Sequence, residues 1–146
     1  VPQLERGGKY VFGWSVLHPD GSVRLPPEAV VEYGLPRQGS LVVMSGSKTS
    51  RGMRVGTAAR LEGTVLDPAS AIPCGGGLAR LKSSLVATAM IHDGMMTVPA
   101  AALDAFGLSA GDRLLVIRGS NLAFVMAQTG PLVEIGCRHP EVVVFD

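Results

Sequence analysis

DGSVRLPPEAVVEYGLPRQGSLVVMSGS, residues 20–47, lies over DGMMTVPAAALDAFGLSAGDRLLVIRGS, residues 93–120, without a gap at an offset of 73. Ten of the 28 positions are identical, where composition alone supplies about two. The identities are Asp20/Asp93, Gly21/Gly94, Pro26/Pro99, Ala29/Ala102, Gly34/Gly107, Leu35/Leu108, Leu41/Leu114, Val43/Val116, Gly46/Gly119 and Ser47/Ser120, and Tyr33/Phe106 and Val30/Leu103 match in kind. A duplicated unit is therefore the first fact about this chain.

Each shared feature has a physical reading. Asp-Gly is a two-residue hairpin signal, because Gly accepts positive φ without steric cost. It joins GWSVLHP (13–19) to SVRLP (22–26), and LVATAMIH (85–92) to MMTVP (95–99). Pro26 or Pro27, and Pro99, then stand where a helix begins and a fixed φ helps. Short helices are expected over 28–33 and 100–106, each closed by Gly-Leu, with Gly as the left-handed cap and Leu folding back on the last turn. LVVM (41–44) and LLVI (114–117) are continuous apolar runs suited to strands buried on both faces. A fourth strand is expected at 52–56 and 121–128. One such unit is marginal alone, whereas two paired units bury both apolar faces in one barrel. The expectation is a mostly β chain with short helices, organised as a first repeat (8–57), a Gly-containing linker that runs as a surface loop with some extended structure (58–84), a second repeat (85–130) and a tail carrying a last strand at 142–145 (131–146).

Composition agrees. The chain has 146 residues, 47% of them apolar, with 19 Gly, 10 Pro and few aromatics, which favours short strands and turns over long helices. No apolar run approaches the ~18 residues of a membrane span, and no signal-peptide pattern opens the chain, so a soluble, cytoplasmic protein is expected, with no membrane partner. Cys74 and Cys137 lie far apart with no CxxC partner, as free thiols in a reducing compartment would. The net charge of +1 is unevenly spread. Residues 1–60 carry eight Lys/Arg against four acids, the remainder five against eight, an asymmetry that suits an anionic partner on one side.

The order Gly-x-x-x-[Ile/Leu/Val]-Pro, short helix, Gly-Leu, then Gly-Asp-x-Leu-x-Val resembles the AbrB/SpoVT/MazE-type swapped-hairpin domain. Here it reads GSVRLP…YGLPRQGSLVV and GMMTVP…FGLSAGDRLLV, covering about half the chain in two copies. The resemblance implies two AbrB-like ββαββ repeats pairing into a swapped-hairpin barrel, a role as a DNA-binding transcriptional regulator, and homo-oligomers. A tandem chain can satisfy the pairing within one molecule. The family's DNA-binding members place a basic residue after the hairpin Gly and arginines in the short helix. This chain has Ser22 and Met95 at the former, and PEAVVEYG and PAAALDAFG for the latter. Those contacts do not carry over; Arg24 is the nearest basic substitute, and its repeat partner is Thr97.

The strongest electrostatic candidate is KTSRGMRVGTAAR (48–60), with four cations and no acid. Phosphate contacts need only Lys/Arg and backbone N–H groups, so Arg24, Lys48, Arg51, Arg54 and Arg60 are the expected nucleic-acid contacts, with double-stranded DNA as the partner. The plain alternative is a solvated hairpin. GSKTS (46–50) lacks the spacing of a phosphate loop, and the GGG at 75–77 lacks the dinucleotide spacing. Cys137 and His139 share a face if that segment is a strand, but two ligands do not make a metal site. His18 and His92 flank the Asp-Gly turns with no nucleophile beside them, and no carboxylate pair stands out. No catalytic residue, metal or cofactor is expected, and enzyme is the weakest class. The rival reading is a barrel without DNA affinity, kept for a protein partner or self-assembly, either antitoxin-like or structural. Charge geometry separates them: a DNA-binding chain brings Arg24, Lys48, Arg51 and Arg54 to one face.

Overall fold

A computed structural model describes residues 10–75 and 77–146. Arg6, Lys9 and Glu5 of the charge count, and the side chain of Cys74, lie outside the described residues. The strands of the two copies alternate in pairs around the sheet. β1 (Val11–Val16) pairs antiparallel with β9 (Arg113–Ile117), and β3 (Gln38–Ser45) with β7 (Ser84–His92). β2 (Ser22–Arg24) pairs with β8 (Met95–Thr97), and β4 (Met53–Gly56) with β10 (Phe124–Ala127). With the ladders internal to each copy, the ring runs β1-β9-β10-β4-β3-β7-β8-β2. The result is a nearly closed, barrel-shaped sheet with four short helices. The remaining seam lies between β2 and β1, where the Ser15 hydroxyl donates to the Arg24 carbonyl at 2.7 Å and the His18 N–H to the Ser22 carbonyl at 2.9 Å.

The registers relate the two copies by a pseudo-two-fold axis. Val23 faces its own equivalent, Met96. At the opposite side of the ring, β3–β4 sets Val43 beside Val55 while β9–β10 sets Val116 beside Met126. Val55 therefore corresponds to Met126, and Arg54 to Val125, the residue it faces across the β4–β10 ladder. In the first strand of each copy the offset changes to 74, because Trp14 sits beside Leu115 as Thr88 sits beside Val42. The extra residue is in the turn. Asp93-Gly94 is a two-residue turn with φ of 48° and 80°, as the Asp-Gly signal predicts. The first copy spans the turn with Pro19-Asp20-Gly21, ends it on Gly21 at φ 84°, and adds bonds from the Ser22 N–H and hydroxyl to Asp20 Oδ1. Those donors hold the Asp20 carboxyl below its ordinary pKa.

α1 (Pro27–Glu32) and α3 (Ala100–Phe106) follow the proline signals. Gly107, at φ 74°, caps α3, and the Leu108 N–H returns to the Leu103 carbonyl at 2.9 Å, as Leu35 does to Val30 at 3.0 Å. Both leucines are buried. Residues 41–44 and 114–117 are all buried, as continuous apolar runs should be. Leu41, Val43, Leu114 and Val116 face the barrel interior with Met53, Val55, Phe124 and Met126. Val42 and Met44, and Leu115 and Ile117, point outward into two further clusters.

Those outer clusters explain the segments that follow each repeat. The stretch expected to run as a surface loop forms α2 (Ala58–Leu61), a 3-10 turn (Pro68–Ser70) and the hairpin β5 (Ile72–Gly75)–β6 (Leu78–Leu81), which adds to β7. Its Leu61 and Leu81 cover Val42, Met44 and Val86. The tail does the same for the other flank. α4 (Pro131–Cys137) and the strand β11 (Val144–Phe145), parallel to β1, cover Trp14, Leu115 and Ile117 with Val142, Leu132 and Ile135. The tail strand is thus shorter than the expected 142–145 and follows a helix, because its apolar residues pack on an existing sheet face. Cys137 ends α4 as an exposed free thiol, and His139 pairs with Glu141 at 2.8 Å, so the two do not share a strand face. Among the described residues no helix is long and apolar enough to cross a membrane.

Two outcomes follow from this architecture. Residues 1–83 and 84–146, produced separately, each lack the strands that cover their apolar faces. Circular dichroism should show neither fragment as a folded monomer and should show β structure recovered on mixing; a folded monomeric fragment would contradict the alternating sheet. Deleting Pro19 should leave a two-residue Asp-Gly turn like that of the second copy, with urea-unfolding stability within about 1 kcal/mol of the parent.

Candidate ligand-binding cleft and the basic residues

The loop between β3 and β4, residues 46–52, is closed by hydrogen bonds among its own residues. The Ser50 N–H donates to Ser47 Oγ at 3.0 Å and the Arg51 N–H to the Ser47 carbonyl at 2.8 Å. Arg51 (φ 51°) and Gly52 (φ 66°) then turn the chain back into β4. A Cβ at position 52 would meet the Met126 carbonyl at 2.1 Å, so Gly is required twice over, by conformation and by space. The second copy grips the loop from outside: the Gln128 and Thr129 N–H groups donate to the Ser50 carbonyl, and Thr129 Oγ1 to the Thr49 carbonyl at 2.8 Å. Lys48 stands exposed at the tip of this fixed loop.

The other candidate cations divide by role. Arg24, on β2, is exposed and donates through Nε to the Asp146 carbonyl at 3.1 Å. Because β2/β8 and β4/β10 are on opposite sides of the ring, it lies across the barrel from Arg54. Arg60 reaches the carbonyls of Glu32 at 3.0 Å and Asn121 at 3.3 Å and stacks 5.6 Å from the Tyr33 ring centre. A guanidinium on the last carbonyls of α1 is favoured by the helix's partial negative end. Arg51 stands near the corresponding end of α3, its guanidinium 3.4 Å from the place a Cβ would occupy on Gly107. Tyr33, buried beneath Arg60, donates its hydroxyl to the Ser120 carbonyl at 2.8 Å and accepts the Gly119 N–H at 3.2 Å; burial pushes its pKa up.

Arg54 is different. It is half-buried on β4, with Nε donating to the Ser45 carbonyl at 3.3 Å and Nη2 to Ser84 Oγ at 2.6 Å. Burial pulls its pKa down, the sign of a charge partly stripped of water. It lines a cleft of about 800 Å³ together with the polar Ser47, Lys48 and Ser84 and the apolar Ile117, Val125 and Leu132. Ser83 and Ser84 follow the first covering segment and Gly130–Leu132 begin the second, so the cleft lies at the seam between the two covers. Among the described residues no Asp or Glu lines it. Of the five residues the sequence singled out, Lys48 and Arg54 meet here, Arg51 is on the same loop as Lys48, and Arg24 and Arg60 stand elsewhere. The sequence carried no sign of Ser84, Ile117 or Val125 as lining residues, since only the alternating ladders bring them to residue 54.

Other pairings are structural in character. Arg118 makes a two-pronged pair with Glu32 and lies 4.4 Å over the Tyr10 ring, and Arg37 pairs with Asp93 at 2.6 Å. His18 and His92 occupy equivalent strand ends under the 74-residue offset, with His92 beside Asp93. Among the described residues no cluster of three His, Cys, Asp or Glu could hold a metal ion. No family model, curated protein or solved structure matches this chain.

The division of cations has a measurable consequence. Arg60→Ala removes two carbonyl contacts and the stacking on Tyr33, and should lower stability by about 1 kcal/mol in urea unfolding. Lys48→Ala, at an exposed tip, should stay within about 0.5 kcal/mol of the parent. Equal losses in the two variants would contradict the assignment of Arg60 to the scaffold.

Proposed function

We propose that this chain is a tandem barrel of the AbrB/SpoVT type that works as a binding module without duplex-DNA affinity. The observation that carries this reading is the scatter of the cations. Arg24 is across the barrel from Arg54, and Arg60 is engaged on the end of α1. Non-specific duplex binding grows with the number of phosphates neutralised, and two or three cations at one cleft supply little of it. The departures at Ser22 and Met95 point the same way, because the hairpin turns themselves carry no Lys or Arg. An association surface is available at β11, an end strand of the sheet, beside exposed Val143 and Val144. Open strand edges are where a second chain adds.

A second reading, a DNA-binding regulator, is favoured by one feature. Lys48 and Arg51 stand on a hydrogen-bonded loop next to Arg54, an arrangement that suits a phosphate backbone. Fluorescence anisotropy with a random duplex, from low to moderate salt, separates the two. The module reading expects no micromolar binding at low salt. Micromolar binding that weakens steeply with salt and is lost when Lys48, Arg51 and Arg54 become Ala would overturn it in favour of the regulator.

A further inference from the structure

Arg54 occupies a position that the fold does not require to be charged. Its pseudo-symmetric equivalent is Val125, an apolar residue on the same outward face of the equivalent strand. Half-burying a guanidinium costs desolvation energy that a valine avoids. The partners Arg54 does have, the Ser45 carbonyl and the Ser84 hydroxyl, are neutral, and among the described residues no carboxylate pairs with it. Retaining a half-buried cation with only neutral partners at the wall of a cleft is the arrangement expected where a ligand brings the opposite charge.

The cleft has the remaining attributes of a small-molecule site. Its volume of about 800 Å³ falls within the ~300–1,000 Å³ common for such sites, which combine apolar walls with a few placed polar groups. Lys48 adds a second cation at the same cleft, and Val125, Ile117 and Leu132 form an apolar wall beside them. Nε and one proton of Nη2 hold Arg54 in place, and the rest of its planar fork is suited to a carboxylate.

We propose that this cleft binds a small organic carboxylate, its charged end on Arg54 and Lys48 and its apolar body against Val125, Ile117 and Leu132. A phosphate monoester carries nearly twice the charge at neutral pH, and the larger cost of stripping its water beside the apolar wall favours the carboxylate. Because the lining comes from the ends of both covers, an occupied site also ties the segment before β7 to the segment that begins α4. The proposal deepens the binding-module reading and rests on it, naming the ligand class that the module takes.

Isothermal titration of the full chain with hexanoate, hexanamide and phenyl phosphate tests it. Hexanoate should bind saturably, with hexanamide giving no saturable heat. Arg54→Met, which places an apolar residue where the second copy already tolerates Val125, should weaken hexanoate by about tenfold or more. Lys48→Ala should weaken it several-fold, and its exposed site keeps the test valid if Arg54→Met does not fold. Absence of hexanoate binding, equal affinity for hexanamide, unchanged affinity in both variants, or tighter binding of phenyl phosphate would each overturn the proposal. The two readings fail separately: duplex binding in the anisotropy experiment removes the module, whereas silent titrations without duplex binding remove only the carboxylate.

Discussion

Pairing between the copies alternates with pairing within them around the barrel, up to the seam between β2 and β1. The ladders β1–β9, β10–β4, β3–β7 and β8–β2 each join one copy to the other, and those between them belong to a single copy. Neither copy can close a sheet or cover its inner apolar face by itself, so the interior formed by Leu41, Val43, Leu114, Val116, Phe124 and Met126 exists only when both are present. Four-stranded units of this size bury too little surface to stand alone. Covalent linkage lets the second copy find the first without a bimolecular step, which lowers the entropic cost of the pairing.

Once the barrel forms, its outer faces pose a second problem. β3 and β9 are apolar on both sides, so closing the barrel satisfies only half of their surface. The segments after β4 and after β10 solve this in different ways: one with a short helix and a hairpin, the other with a helix and a parallel strand. They have no common sequence pattern, yet each covers outward residues of the third strand of its own copy, β3 or β9, together with those of a neighbouring strand from the other copy, β7 or β1. The cleft at Arg54 and Val125 is lined by the end of the first cover and the beginning of the second.

The axis passes through two facing pairs of equivalent residues, and they differ in how alike they are. Val23 and Met96 have stayed apolar, and both are fully buried. Arg54 and Val125, at the other end, have not stayed alike, and their difference makes one wall of the cleft polar and the other apolar. Tyr33 and Phe106 show the same division at the helix ends, with the tyrosine hydroxyl anchored to residues 119 and 120. A duplicated barrel can keep the symmetric positions its packing needs and free the others for one-sided chemistry.

The sequence by itself determined the repeat, the Asp-Gly turns, the proline-led helices with their Gly-Leu ends and the strands buried on both faces. These are local signals, set by allowed φ, by capping geometry and by an apolar run that has to be covered on both sides. Tertiary structure alone decided which strands pair and therefore where the side chains of residues 24, 48, 51, 54 and 60 end up. Charge counting grouped Lys48, Arg51, Arg54 and Arg60 because they are close in the chain, and the resemblance added Arg24; the alternating ladders separate Arg24 from Arg54 by the width of the barrel and bring Val125 to Arg54 instead. The covers were illegible for a related reason. Residues 57–84 and 131–146 contain Gly, Pro and scattered apolar residues with no sustained period, and such residues acquire a direction only from the sheet face they pack against.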